Sequence, residues 1–160
     1  MIRIGVTGHS NLSQESAELV FDGLRHALEP HADEHLLGIT CLAAGADQLF
    51  ARAILSLGGR YDVILPAPDY RDTVVKPGNL AEFDALIAEA SNVHYMPFET
   101  SGRDAYMAAS EALVTRSDRL LAVWDGKPSS GLGGTADVVA HARRVGVAVD
   151  VIWPAGTRRR

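Results

Sequence analysis

Three glycine-bearing segments carry the residues of this chain that could do chemistry. They are Gly5-Val6-Thr7-Gly8-His9, Ala43-Ala44-Gly45-Ala46-Asp47, and Trp124-Asp125-Gly126 running on to Gly131-Leu132-Gly133-Gly134-Thr135. Short apolar runs precede them at residues 2–6, 37–42 and 120–123, and a helix-period pattern follows each. The chemistry such segments suit is anion binding. Glycine lets a ligand approach the backbone closely, and a helix N-terminus presents unpaired N–H groups. Thr7, Gly8, His9, Ala44, Gly45, Ala46, Asp47, Asp125, Gly126, Gly133, Gly134 and Thr135 are therefore the candidate ligand-binding residues.

Each has a plainer alternative. Gly8 and Gly45 serve a tight strand-to-helix turn equally well. Gly133-Gly134-Thr135 combines an anion nest with a hydroxyl N-cap, and the two roles are compatible. His9 is either a donor to a phosphate or a hydrogen-bonded turn residue. Asp47 is either a helix cap or a ligand contact. Asp125 could hold a ribose diol or shape the Asp125-Gly126 turn.

The elements that must position these residues alternate along the chain. Strand patterns fall at residues 2–7, 36–42, 61–65, 92–97, 119–124 and 147–153, with helical periodicity between them. Mostly uninterrupted apolar strands joined by helices predict an α/β fold. Its sheet would be doubly wound and mostly parallel, with helices on both faces and residues 2–7 central. Such a sheet brings strand-to-helix turns to one edge, at the carboxyl ends of its strands. Residues 67–79 break the rhythm and read as a loop. Asp69, Tyr70 and Arg71 there could form a lid over the pocket or a plain surface loop.

The 160 residues fit one domain, here residues 1–156. Residues 157–160 form a basic C-terminal tail, expected to be frayed and solvated. The net charge of −5 argues against a nucleic-acid partner. The single cysteine, Cys41, lies in an apolar run and reads as a buried, inert thiol. His26, His31 and His35 read as solvated surface, and no metal-ligand spacing is present. Met1-Ile2-Arg3-Ile4 runs straight into a strand pattern, and no apolar run is long enough for a membrane span. A cytoplasmic protein without a membrane partner is expected.

Taken in order, the three segments resemble the SLOG superfamily of Rossmann-like domains, which includes the DNA-processing Smf/DprA proteins and the lonely-guy (LOG) proteins, also called lysine-decarboxylase-like. Val6-Thr7-Gly8-His9-Ser10 is similar to the first-strand glycine turn of that group. Leu42-Ala43-Ala44-Gly45-Ala46-Asp47 followed by Ala51 is similar to the second-strand motif of the DNA-processing branch. Ser117-Asp118 before a strand, then Gly133-Gly134-Thr135, is similar to the Gly-Thr segment of the lonely-guy branch. The resemblance covers about residues 1–153. It implies a nucleotide-type small-molecule pocket and a homo-oligomer, a dimer or larger. It also implies where this chain departs. The glutamate that lonely-guy enzymes carry three residues after the Gly-Thr threonine is replaced by Val138, and Asp137 lies one residue earlier. Arg103 is the one candidate for that branch's helical arginine.

Three readings follow. The first is a sensor or carrier that binds a nucleotide or nucleotide-derived phosphate ligand with little or no catalysis, and needs no further cofactor. The alternative is a nucleoside 5′-monophosphate phosphoribohydrolase-like glycosidic-bond hydrolase, with Asp47, Asp125 or Asp137 in place of the missing carboxylate. The third is an oligomeric structural subunit with a vestigial pocket. The sequence leaves open whether the protein is an enzyme.

Overall fold

Runs of Ile, Val and Leu with few polar interruptions become the strands, because in a parallel sheet both faces of an inner strand are covered. The computed structural model describes residues 1–129 and 134–160. In chain order the elements are β1 (Ile2–Gly8), α1 (Gln14–Leu28), β2 (Leu36–Thr40), α2 (Ala46–Ser56), β3 (Arg60–Leu65), α3 (Tyr70–Thr73), α4 (Leu80–Glu89), β4 (Asn92–Tyr95), α5 (Arg103–Arg116), β5 (Arg119–Val123), α6 (Thr135–Arg144) and β6 (Ala148–Val151). Short 3-10 turns occupy Glu29–His31 and Pro77–Asn79.

The sheet order is β4-β3-β2-β1-β5-β6, and every pairing among the described residues is parallel. β1 is central, as its apolar run predicts. The chain winds outward from β1 through β4, then crosses back to start again at β5. The order therefore reverses between β1 and β5, which is where an open α/β sheet presents its ligand crevice.

Each face has its own core. Val20, Leu24, Phe50, Ile54 and Phe83 fill one side with α1, α2 and α4, and Ala109, Leu113, Val138 and Ala142 fill the other with α5 and α6. Close packing at the centre requires small residues. A Cβ on Gly5 would lie 2.4 Å from Ser117 Oγ and 2.6 Å from Leu113 Cδ2.

Two regions differ from the sequence reading. Residues 67–79 are more ordered than a loop. They contain α3 and a 3-10 turn because Tyr70 is buried as an anchor against the rings of Phe83 and Tyr106. Residues 157–160 are not frayed. Leu12 and Arg159 form an antiparallel bridge, Ser13 N–H donates to Arg158 O, and Arg160 N–H donates to Asn11 O. Arg158 N–H donates to Ser16 Oγ at 2.7 Å, and Thr157 is buried. These bonds satisfy backbone groups of both irregular segments, so the C-terminal residues stay down.

Candidate functional site

A cleft of about 1100 Å³ opens at the carboxyl edge of the sheet. Its floor is the turn after β1, residues Thr7, Gly8 and His9, with Ala43 and Ala44 after β2. One wall is the start of α6, Gly134 to Ala136, with Lys127 from the β5 loop. Tyr70, Val74, Val75, Lys76, Arg103 and Tyr106 line the opposite side.

Gly8 is required where it stands. A Cβ there would meet Ala46 Cβ at 2.6 Å and Val123 Cβ at 2.7 Å, so the turn packs α2 directly against β1 and β5. Gly45 has φ +85° and would place a Cβ 2.7 Å from Ser10 Cα. Neither Gly45 nor Ala46 reaches the cleft wall. Their role is to bring α2 up behind the β1 turn, where Ala46 N–H donates to His9 O. The packing alternative therefore describes Gly45, while Gly8 both packs and lines the cleft.

The three segments do not offer three helix N-termini. After Gly8 the chain runs five residues further before α1, whose N-cap Ser13 accepts from Ser16 N–H. The start of α2 is occupied internally, since His9 O takes the Ala46 N–H. Of the helices that follow these three segments, only α6 opens into the cleft. Its N-cap is Gly134 rather than Thr135, with φ −72° and ψ 171°, and no side chain caps it. First-turn N–H groups of a helix have no intrahelical acceptor, so those of Thr135 and Ala136 face the cleft wall available to an anion. Gly133 lies outside the described residues.

Asp47 stands in the first turn of α2, with Gly45 as the N-cap. Its Oδ2 accepts from Ala43 N–H at 3.2 Å, so it braces the β2 turn. That turn is unusual: Leu42 has φ +59°, a conformation that side chains rarely adopt. Thr40 Oγ1 accepts from Leu42 N–H and Gln48 Nε2 donates to Leu42 O, which holds it there. Asp47 is 7% exposed and is the one carboxylate lining the cleft among the described residues. Burial pushes its pKa up to about 7, against the opposing pull of the Ala43 N–H. Cys41 also lines the cleft. Burial, then Asp47, push its thiol upward, so it is a poor nucleophile.

His9 and Asp125 do not act separately. Asp125 N–H donates to His9 Nε2 at 3.1 Å, and Asp125 Oδ1 lies 3.3 Å from the same nitrogen. The His9 ring stands edge-on to Trp153, with centroids 5.6 Å apart. Burial, then Arg159, push the imidazole below its ordinary pKa, against a smaller pull from Asp125. A neutral ring with Nε2 as acceptor and the proton on Nδ1 is consistent with both facts. Burial alone would raise Asp125. Lys127 N–H, His9 and Arg159 together outweigh it and hold the carboxyl below its ordinary value. Asp125 and Gly126 are outside the cleft lining, so the ribose-binding role finds no geometric support and the turn role does: Asp125 Oδ1 accepts from Lys127 N–H at 3.0 Å.

The three residues read as a lid split apart. Tyr70 lines the cleft and is buried. Asp69 turns away to accept from Ser101 N–H and Oγ, and Arg71 pairs with Asp84. Val138 is 2% exposed and packs in the core beneath α6, so it does not point into the cleft.

Sequence reasoning missed the cations. Lys76, Lys127, Arg159 and Arg160 line the cleft together with Arg103. Lys76 and Lys127 stand alone in irregular segments, where no periodicity marks them. Arg159 and Arg160 arrive through the bridge to Leu12, a long-range pairing that local patterns do not encode.

No family model matches this sequence, and no curated protein matches it. Solved structures do. The molybdenum cofactor binding protein from Rippkaea orientalis is 18% identical, with a TM-score of 0.60 over 94% of this chain and 75% of that one. The protein TM1055 is 18% identical, with a TM-score of 0.61 over 93% of this chain and 72% of that one. DNA processing protein A from Helicobacter pylori, described by its single-stranded DNA binding mode, is 15% identical, with a TM-score of 0.67 over 94% of this chain. The chain spans 64% of that protein's length. This chain shares a Rossmann-like α/β fold with these proteins. The comparison corrects one expectation. The net charge of −5 argues against a nucleic-acid partner, yet the same fold binds single-stranded DNA in the Helicobacter protein. Overall charge was a poor guide because local cations gather at this cleft. Among the described residues no helix is long and apolar enough to cross a membrane.

Proposed function

We propose that the cleft holds a nucleotide or nucleotide-derived phosphate ligand, with little or no catalysis. One observation carries the reading. The open N-terminus of α6 is flanked by Lys127, Arg159 and Arg160 in a chain whose net charge is −5. A helix terminus and converging cations favour an anion locally whatever the overall charge. The sensor-or-carrier form agrees with the molybdenum cofactor binding protein among the similar structures. The non-catalytic half rests on Val138, which lies in the core where the lonely-guy branch has its glutamate.

The test is a thermal-shift panel of nucleotides, nucleotide sugars, dinucleotides, molybdenum cofactor and a short single-stranded oligonucleotide. A ligand at a hundred times its Kd stabilises by about 2.7 kcal/mol, a rise of roughly 5–10 °C in a domain of this size. No shift from any phosphate-bearing small molecule would overturn the reading.

A hydrolase is the second reading, and Asp47 is the observation that favours it. A buried carboxyl with a pKa of about 7 at the cleft floor suits general acid–base work. Release of free base from a nucleoside monophosphate by the wild type, abolished in Asp47→Asn, would establish it in place of the first.

A further inference from the structure

The cations of the cleft fall into two groups. Lys127, Arg159 and Arg160 accompany α6 on the β5 side. Lys76 and Arg103 come from the other side. Lys76 precedes the 3-10 turn that follows β3 and α3, and Arg103 is the first residue of α5, after β4. Lys76 follows β3 and Lys127 follows β5, and in the order β3-β2-β1-β5 three inter-strand steps separate those strands. At about 4.8 Å per step that is about 14 Å, and the long side chains reach inward from it. The cleft volume, 1100 Å³, exceeds the roughly 300–1,000 Å³ common for small-ligand pockets.

The second group has the features of an anion site. Among the described residues neither Lys76 nor Arg103 has a carboxylate partner, whereas Arg3, Arg52, Arg71 and Arg119 are each paired with one. α5 is a 14-residue helix whose N-cap, Gly102, has no side chain to cap it, so the first-turn N–H groups beside Arg103 are open. Asp104, the acidic residue of that turn, is not part of the cleft lining. On the side of Lys76 and Arg103 the wall is apolar and aromatic, with Val74, Val75, Tyr70 and Tyr106.

We propose that the cleft takes a nucleotide with phosphate at two separate positions. One phosphate would sit at the α6 terminus and the second between Lys76 and Arg103, with the base or ribose lying along the Tyr70–Tyr106 wall. The chemical class is a nucleoside bisphosphate, or a dinucleotide that carries an additional ribose phosphate. This rests on the nucleotide reading above and deepens it.

Pairs of probes that differ by one phosphate test it: NAD against NADP, and adenosine 5′-monophosphate against adenosine 2′,5′-bisphosphate, titrated by calorimetry. The wild type binds the member with the extra phosphate at least about tenfold more tightly, the scale of one charge-assisted contact. In Lys76→Ala/Arg103→Ala that ratio falls to about one. Both side chains are exposed, so the variant keeps the fold. Equal affinity within each pair for the wild type overturns the two-phosphate inference and leaves the nucleotide reading standing. A ratio that survives in the double variant also overturns it. Binding of none of the four probes overturns both.

Discussion

Asp125 Oδ2 lies 3.6 Å from Arg159 Nη1, joining the end of β5 to a segment 34 residues later in the chain. Asp125 N–H also donates to His9 Nε2, and Arg159 Nε donates to Asn11 Oδ1 at 2.9 Å. The turn after β1, the turn after β5 and residues 158–160 are thus one polar assembly beside the cleft. Its effect is to hold two arginines where an anionic ligand would meet them.

Replacing those arginines separates binding from folding. Arg159 is 43% exposed, and exposed ion pairs contribute under about 1 kcal/mol. Arg159→Ala/Arg160→Ala keeps its backbone bridge to Leu12 and loses little stability. Phosphate-ligand affinity falls about tenfold or more, because each charge-assisted contact is worth about 1.5–3 kcal/mol. Calorimetry for binding and urea denaturation for stability check the two halves. A large loss of stability with unchanged affinity would make the segment a structural strap only.

Gly134→Asp makes the opposite kind of change. Gly134 has φ −72° and ψ 171°, an ordinary extended conformation, and sits at the N-cap of α6. Aspartate is a preferred N-cap residue, so the fold is kept or slightly stabilised. The same carboxylate places a negative charge where a phosphate would lie. The expected result is an unchanged or higher Tm without ligand and no thermal shift with it. Retained ligand shift would move the phosphate away from α6.

The central strands and the glycine turns were legible because their signals are local. Residues 2–6, apolar but for Arg3, followed closely by Gly8, state both a buried strand and a tight turn. Direction was not legible. Counting three from Thr135 identifies Val138, but only packing shows that this position faces Leu113 and Ala142 rather than the cleft. Val138→Glu would therefore bury a charge in the core and not supply a catalytic group. Residues 67–79 looked structureless because α3 is a single turn, held by what Tyr70 touches and not by periodicity.

Gly8→Ala and Gly45→Ala rank the two turns by stability. At Gly8 the added carbon overlaps Ala46 and Val123 side chains, and overpacking of this kind costs about 1–3 kcal/mol. At Gly45 it meets backbone, His9 O at 2.8 Å and Ser10 Cα at 2.7 Å, and the φ of +85° adds strain. Gly45→Ala is expected to cost more, measured as the shift in urea midpoint. The reverse order would mean that α2 can slide away from the β1 turn.

Asp47 makes stability depend on pH. Its folded pKa is raised to about 7, so between about pH 4 and pH 7 the folded state keeps a proton that the unfolded chain has released. Where the native state binds the extra proton, stability falls as pH rises. The contribution is intact below about pH 4, declines by roughly 1.4 kcal/mol per pH unit, and levels off above about pH 7. Asp47→Asn keeps an oxygen to accept the Ala43 N–H and has no charge to desolvate. Its stability relative to the wild type should therefore rise through that window and stay constant above it. Denaturation midpoints at pH 4.5, 6 and 8 test this. A difference that is flat across the three would show that the buried carboxyl ionises as freely in the fold as in the unfolded chain, and would also remove the ground for giving Asp47 acid–base work.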